Sequence, residues 1–279
     1  MEVGACSTVF MKYPKISIVT PSYNQGEFIE ETILSVINQN YPNLEYIIID
    51  GGSTDSTVEI IKKYEKHITY WVSEKDNGQT DAINKGFKKA TGEIYGWLNS
   101  DDLLEKGALF KVAEFFNENP EAQVVYGNFR YIDKEGNIVK NVRETGFHKF
   151  LWVYGYNYIP QPSTFWRSEL FHRVGGLDET YQCAMDAHLW MRFMQQTKIY
   201  HINSFLSRFR DYPDRKNIRL REISDKEDHK IREILLNRHI SKFEFLIKHI
   251  IAKFARACLK FLILLKILIS FRGKDKDEK

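Results

Sequence analysis

From Ile16 onward, short apolar runs alternate with longer stretches whose apolar residues recur every three or four positions. Ile16-Ser17-Ile18-Val19-Thr20 is β-rich and stops at Pro21. Between Gly26 and Gln39, residues Phe28, Ile29, Ile33, Leu34, Val36 and Ile37 fall at helical spacing. Leu44–Ile49 reads as a second strand that ends at Asp50, and Gly51-Gly52-Ser53 forms a turn. Ser56 and Glu59 have capping-box spacing, which predicts a helix towards Tyr64. A strand is expected at Ile68–Val72, a helix at Gln79–Ala90, a strand at Glu93–Leu98 and a helix at Gly107–Asn117. Over the first 120 residues this β-α-β-α-β-α-β-α order predicts an α/β fold: a mostly parallel central sheet with helices on both faces. Beyond Gln123 the pattern changes. Val124–Ile132 reads as a strand, Asp133–Asn137 as a hairpin turn, Phe147–Phe165 as aromatic and irregular, Met185–Gln195 as a short helix and Ile218–Asn237 as a charged helix.

In such a sheet ligands sit beyond the carboxyl ends of the strands. The sequence places Tyr23 and Asn24, then Asp50, then Asn99-Ser100-Asp101-Asp102 there, so three strands deliver polar groups to one rim. A purely structural sheet has no need of that coincidence.

Composition narrows the classes. The 279 residues suit one large domain or a domain with an appendage. Apolar residues make up 43%, which supports a packed core rather than general disorder. Cys6, Cys183 and Cys258 are far apart and form no CxxC pair. This argues against a disulfide framework or structural zinc and for a reducing compartment. Met1–Phe10 lacks the basic start and apolar run of a signal peptide. We expect a disordered leader over 1–12, a domain over 13–217 whose halves meet near 120, and a helical extension over 218–279.

Each candidate has a plain structural reading beside the chemical one. Asn99–Asp102 follows an apolar strand, and carboxylates there suit a divalent cation such as Mg²⁺ or Mn²⁺; the same turn could simply cap the next helix. Asp50 precedes two glycines that would admit a ligand close to the backbone, or else bonds its own turn. Asp81 and Asn84 share one helix face, ligand-facing or merely exposed. Asp186 sits among Ala184, Met185, Ala187 and Leu189. A carboxylate in apolar company is paired or working, and burial would raise its pKa; it could equally cap a helix at Ala187. His188 reads as structural. No G-x-G-x-x-G follows the first strand and no G-x-x-x-x-G-K-[ST] occurs, which argues against dehydrogenases and P-loop enzymes.

Together these segments resemble glycosyltransferase family 2, with the GT-A (Rossmann-like) fold. The resemblance rests on Thr20-Pro21-Ser22-Tyr23-Asn24, Asp50-Gly51-Gly52-Ser53-Thr54-Asp55, Gly78 to Gly86 and Asn99-Ser100-Asp101-Asp102. Weaker support comes from Gln161-Pro162-Ser163, Gly175 to Glu179 and Asp186. It implies an inverting, single-sugar transfer from a nucleotide-diphosphate sugar, a UDP-sugar, to a glycan or lipid-linked acceptor of the bacterial envelope. By the same resemblance Pro21, Tyr23, Asn24, Asp50, Asp81, Asn84 and Ser100 would serve the donor. Asp101, with Asp102 as helper, would hold the metal, and Asp186 would be the catalytic base. Three departures stand out. Gly51 occupies the place of a second Asp, Asn99 replaces the first Asp of D-x-D, and the Q-x-x-R-W motif of processive relatives is absent, with Met191-Arg192 after Trp190. A sugar nucleotidyltransferase would want a glycine-rich basic loop after the first strand, which Pro21–Gly26 is not. A non-catalytic binding protein on a degenerate scaffold has no need to keep all four carboxylates.

Net charge is only +3, but Ile240–Lys279 carries ten Lys/Arg against four Asp/Glu. At 100° per residue, its basic residues share one arc while Phe243, Ile247, Ile250, Phe254, Phe261 and Leu265 face largely the other way. Ala257–Phe271 is shorter than the roughly 20 residues of a membrane span. The pattern fits an interfacial helix on an anionic membrane, placing the protein at the cytoplasmic face of the cell membrane, or else a helix packed on the domain. No nucleic-acid partner is expected, and the oligomeric state stays open.

Overall fold

A computed structural model describes residues 13–213 and 215–274; the leader expected at the N-terminus lies outside the described residues. The first half runs β1 (Ile16–Ser22), α1 (Ile29–Ile37), β2 (Leu44–Asp50), α2 (Thr57–Lys63), β3 (Tyr70–Ser73), α3 (Gln79–Lys89), β4 (Ile94–Trp97), β5 (Leu103–Leu104) and α4 (Ala108–Glu118). The second half continues with β6 (Val124–Ile132), β7 (Ile138–Val142), α5 (Lys149–Tyr154), β8 (Thr164–Arg167), α6 (Ser168–Arg173), α7 (Met185–Gln196) and β9 (Ile199–Arg210). It ends in α8 (Lys216–Arg219), α9 (Arg221–Leu236) and α10 (Lys242–Lys274).

The nine strands of the described residues form one sheet, ordered β3-β2-β1-β4-β8-β6-β9-β5, with β7 paired to β6. The expected parallel arrangement holds over β3-β2-β1-β4, where helices carry the chain from one strand to the next. It does not hold across the centre: β8 is antiparallel to both β4 and β6, while β6 and β9 are parallel. The βα alternation that predicted parallel pairing stops at Gln123, so nothing local forces β8 into that direction.

Period-two side-chain alternation builds the two apolar layers. Val19, Ile47 and Ile49 face Ala82, Ile83 and Phe87 of α3 in one layer, and Ile18, Tyr46 and Ile48 face Ile29, Ile33 and Val36 of α1 in the other. Gly96 lets β4 sit between its neighbours, since a Cβ there would lie 2.7 Å from Phe165 and 2.9 Å from Ile18. The capping box expected at Ser56 does not form. Asp55 accepts the N–H of Thr57 at 3.0 Å instead, and its other oxygen accepts the N–H of Gly26 at 2.9 Å. That carboxylate ties the loop after β1 to the start of α2.

The tail is helical as expected, but its faces are used differently. Ala252 is buried, and Phe245, Ala255 and Leu259 pack on the core. Much of the basic arc also turns inward. Lys248 Nζ is 3.3 Å from Tyr154 Oη, and His249 Nδ1 is 2.7 Å from the Tyr154 carbonyl. Arg256 pairs with buried Glu144 and lies over the rings of Tyr156 and Tyr158 at 4.3 and 5.1 Å. A buried carboxylate needs a cation, and Glu144 draws one from the helix. The face left outward is apolar, with Phe243 at 74% and Phe254 at 72% exposed, and Leu246, Ile250, Phe261 and Leu262 also exposed. Among the described residues, no helix is long and apolar enough to cross a membrane.

Candidate active site

The turn after β4 is organised by Asn99. Its side-chain oxygen accepts from Trp97 Nε1 at 2.7 Å and Gln79 Nε2 at 2.9 Å, and its amide nitrogen donates to Gln161 Oε1 at 3.1 Å. Gln161 in turn donates to the Trp97 carbonyl at 2.5 Å. An aspartate at 99 could not donate to Gln161, so the amide is what the network requires. Asn99 thus fixes the turn, and the carboxylates follow it. Asp101 accepts the Tyr212 hydroxyl at 2.9 Å, and Asp102 accepts the backbone N–H of Arg210 at 3.0 Å.

Both carboxyls are pushed above the ordinary aspartate range by burial. For Asp102 the charge of Asp101 adds to it. The nearby cations are already committed. Arg210 pairs with Glu31 at 2.7 Å and donates to the carbonyls of Asp101, Asp133 and Lys134, and Arg215 pairs with Asp211 at 2.9 Å. Two adjacent, desolvated acidic side chains that form no salt bridge among the described residues, their burial only partly offset by the charge of Arg215, have the chemistry of a divalent-metal site. The residues present therefore fit such an ion.

Pro21, Tyr23, Ser100, Asp101, Asp102 and Asp186 line one cavity of about 640 Å³. Tyr23 is 60% exposed at its mouth. The other sequence candidates do not line it. Asp50 is fully buried and accepts from Gly52 and Ser53 backbone N–H groups and from the Ser53 and Ser73 hydroxyls, so its carboxylate holds the turn rather than opening onto the cavity. Asn24, in a left-handed conformation at φ 51°, accepts the Thr54 N–H at 2.9 Å. Asp81 accepts the Asn77 N–H at 2.9 Å and pairs with Lys85 at 3.3 Å, and the Asn77 bond is the main cause of its lowered pKa. Asn84 clasps Leu177 through both backbone groups. In each case local bonds to the chain satisfy the polar group, which the spacing alone could not reveal.

Sequence reading missed other groups on this cavity. Asp76 is one. A Cβ on Gly51 would lie 2.6 Å from Asp76 Oδ2, so the carboxylate absent at 51 is supplied from 76. Arg215, Lys216 and Arg219 form a basic side, with Lys216 Nζ 3.1 Å from Gln79 Oε1. Their clustering is visible in the sequence, but Arg215 and Lys216 precede the charged helix read at Ile218–Asn237 and carry no motif that marks them.

Asp186 stands where this cavity meets a second one of about 720 Å³; Gln161, Asp186 and Phe209 line both. Asp186 accepts from Asn157 Nδ2 at 3.1 Å and from the Ala187 N–H at 2.7 Å. It is not the N-cap residue of α7, which starts at Met185; its bond to the Ala187 N–H lies within the first turn, and Glu227 of α9 takes the N–H groups of Gln182, Cys183 and Ala184 just ahead of the helix at 2.7–2.9 Å. Burial, with Asp228 adding repulsion, pushes the Asp186 carboxyl up to about 7. A carboxylate so placed can take a proton near neutral pH. His188 stacks on Tyr181 at 4.2 Å and burial lowers it to about 4, which keeps it neutral.

The family model described as Glycosyl transferase family 2 matches residues 17–176, more than half of the chain. This chain belongs to glycosyl transferase family 2. Over 110 residues the family 2 chain is 41% identical to TuaG of Bacillus subtilis, a glycosyltransferase ascribed to teichuronic acid biosynthesis, covering 38% of this chain and 43% of that one. The chain spans about a third to a half of the length of the curated relatives it matches. Among solved structures it is similar to S. aureus TarS 1-349 in complex with UDP-GlcNAc (TM-score 0.64, 21% identity, 84% of this chain and 72% of that one). It is also similar to the mannosyltransferase PcManGT of Pyrobaculum calidifontis in complex with GDP-Man and Mn²⁺ (TM-score 0.62, 17% identity, 92% and 80%). At these identities the likeness establishes the GT-A-type fold.

A carboxyl raised in the folded state binds its proton more tightly there than in the unfolded chain, so its contribution to stability is present at low pH and is lost as pH rises through about 7. Asp186→Asn is therefore expected to be more stable than the parent at pH 8, with the advantage shrinking as pH falls towards 4. Denaturant midpoints across that range would show it; a pH-independent difference would contradict the placement of Asp186.

Proposed function

We propose that this chain transfers one sugar from a nucleotide-diphosphate sugar, a UDP-sugar, to a hydroxyl of a glycan or lipid-linked acceptor with inversion. The observation that carries the reading is Asp186 at the junction of the two cavities. The donor would occupy the cavity lined by Tyr23, Asp76 and Asp101, with Tyr23 and Asp76 beside its base. The acceptor would reach Asp186 from the other side. As the acceptor oxygen attacks the anomeric carbon, Asp186 takes the hydroxyl proton and the bond from carbon to diphosphate oxygen breaks. Negative charge then gathers on the diphosphate, and Lys216 and Arg219 supply positive charge on that side. Asp101 and Asp102 would hold Mg²⁺ or Mn²⁺, which when bound neutralises the departing diphosphate as a Lewis acid. The UDP-GlcNAc and the GDP-Man with Mn²⁺ in the two structural neighbours support a nucleotide-sugar donor and a divalent ion.

The same proposal sets the protein on an anionic membrane through α10. Its outward face is apolar, exposed Lys253 lies within that stretch, and the tail carries the chain's basic excess. A helix of that kind gains from apolar burial in the headgroup region and from attraction to anionic lipid.

Asp186→Asn should lower turnover by roughly 10²–10⁴-fold while leaving UDP binding unchanged; wild-type turnover would remove Asp186 from the reaction. Asp101→Ala should abolish the Mn²⁺ dependence of UDP binding in calorimetry, and an unaltered dependence would count against the metal assignment. The full chain should sediment with vesicles containing phosphatidylglycerol and release in high salt. Phe254→Glu with Phe261→Glu should stay in the supernatant; co-sedimentation of that variant would refute docking through α10.

A further inference from the structure

The second cavity carries more positive charge than a neutral sugar requires. Lys140 on β7, Arg143 beyond it and Lys260 on α10 all line it, against the carboxylates of Glu144 and Asp186. Glu144 is already neutralised. It is buried and pairs with Arg256, which is itself nearly buried and does not line the cavity, and Lys260 Nζ stands 3.5 Å from its other oxygen. Asp186 sits near half-ionisation at neutral pH because burial raises it. Lys140 is exposed, and among the described residues no ion pair is recorded for it. Among the described residues, the groups Arg143 meets are neutral, Asn203 Oδ1 at 3.0 Å and the Phe205 ring at 4.9 Å. Burial lowers the pKa of Lys260, and repulsion from Arg256 and Lys140 opposes the help it receives from Glu144. An incoming anion would relieve all three cations.

The rest of the lining suits carbohydrate. Tyr156, Tyr158, Tyr131 and Phe209 put aromatic rings in the wall, and Asn141 and Asn157 put amides there. Apolar walls with a few placed polar groups are the make-up of a small-ligand site. The buried Arg256 between Glu144 and the two tyrosines fixes α10 as one wall, so the charge on that wall is a built feature of the fold.

We propose that this cavity receives an acidic sugar, one bearing a carboxylate or a phosphate, with Lys140, Arg143 and Lys260 holding the anion and the tyrosines holding the ring. This rests on the reading of Asp186 as the base between donor and acceptor, and it names the acceptor's chemical class. It also gives the C-terminal helix a part in acceptor choice, separate from any part in membrane attachment.

The test uses the full chain with UDP and Mn²⁺ present, and ligand-observed NMR titrations of glucuronate, glucose 1-phosphate and glucose. At least one anion should bind about tenfold tighter than glucose, a difference of ~1.4 kcal/mol, and excess salt should erase the difference. Lys140→Ala with Lys260→Met should remove the preference while leaving the thermal midpoint and UDP affinity close to the parent's. Lys260→Met retains the stem that packs beside Glu144. Glucuronate preference would identify a uronic acid, and preference for glucose 1-phosphate alone a phosphate-bearing acceptor. Equal binding of all three sugars, or an anion preference that survives the double variant, would overturn the proposal. UDP affinity is measured separately on the same protein. A chain that fails to bind UDP but keeps a lysine-dependent anion preference would sink the donor reading and leave this one standing.

Discussion

One buried cation, Arg210, joins the parts on which the site depends. Its guanidinium is fully enclosed, lies over Phe28 at 4.8 Å and is spent on Glu31 of α1 and on the carbonyls of Asp101, Asp133 and Lys134. Its own N–H holds Asp102 at 3.0 Å. A charge in that position is tolerable only when every donor has a partner, so the first helix, the turn after β4, the β6–β7 hairpin and the end of β9 are bound to one geometry. Because Arg210 is spent in this way, it forms no ion pair with Asp101 or Asp102, although its charge and that of Arg215 still partly offset the burial of Asp101. The scaffold and the candidate metal site are thus two consequences of one arrangement.

Desolvation does similar work at Asp186. Glu227 holds the chain just ahead of α7, and burial brings the Asp186 carboxyl to about 7 between the two cavities. Position and protonation range come from the same packing, which is why the proposed base needs no charged partner beside it. Asn99 shows the converse. Its amide bonds Trp97, Gln79 and Gln161 and reaches Asp102 at 3.5 Å, so it shapes the turn and leaves ion binding to its neighbours.

The C-terminal helix connects the second cavity to the protein's surface. Arg256 and Glu144 fix one face to the domain, and the opposite face is left apolar and exposed. A helix held by buried charge can present greasy side chains to solvent without collapsing onto the core, since its orientation is already decided.

The sequence by itself determined the parallel half of the sheet. Alternation in β1, β2 and β4 and helical spacing in α1, α3 and α4 are local properties, and each leaves few ways to bury its apolar face. It also determined which strand ends would be polar, and Pro21, Tyr23, Ser100, Asp101, Asp102 and Asp186 do share one cavity. Only the tertiary structure decided that Asp50, Asn24, Asp81 and Asn84 would satisfy their own loops, because a polar group's partner lies at the end of a fold and not a spacing. It alone brought Asp76 into the space Gly51 leaves and set Arg215, Lys216 and Arg219 against the same cavity. It also set β8 antiparallel at the centre of the sheet and turned the basic face of α10 inward. Charge complementarity across more than a hundred residues, as between Glu144 and Arg256, leaves no mark on the local pattern of either segment.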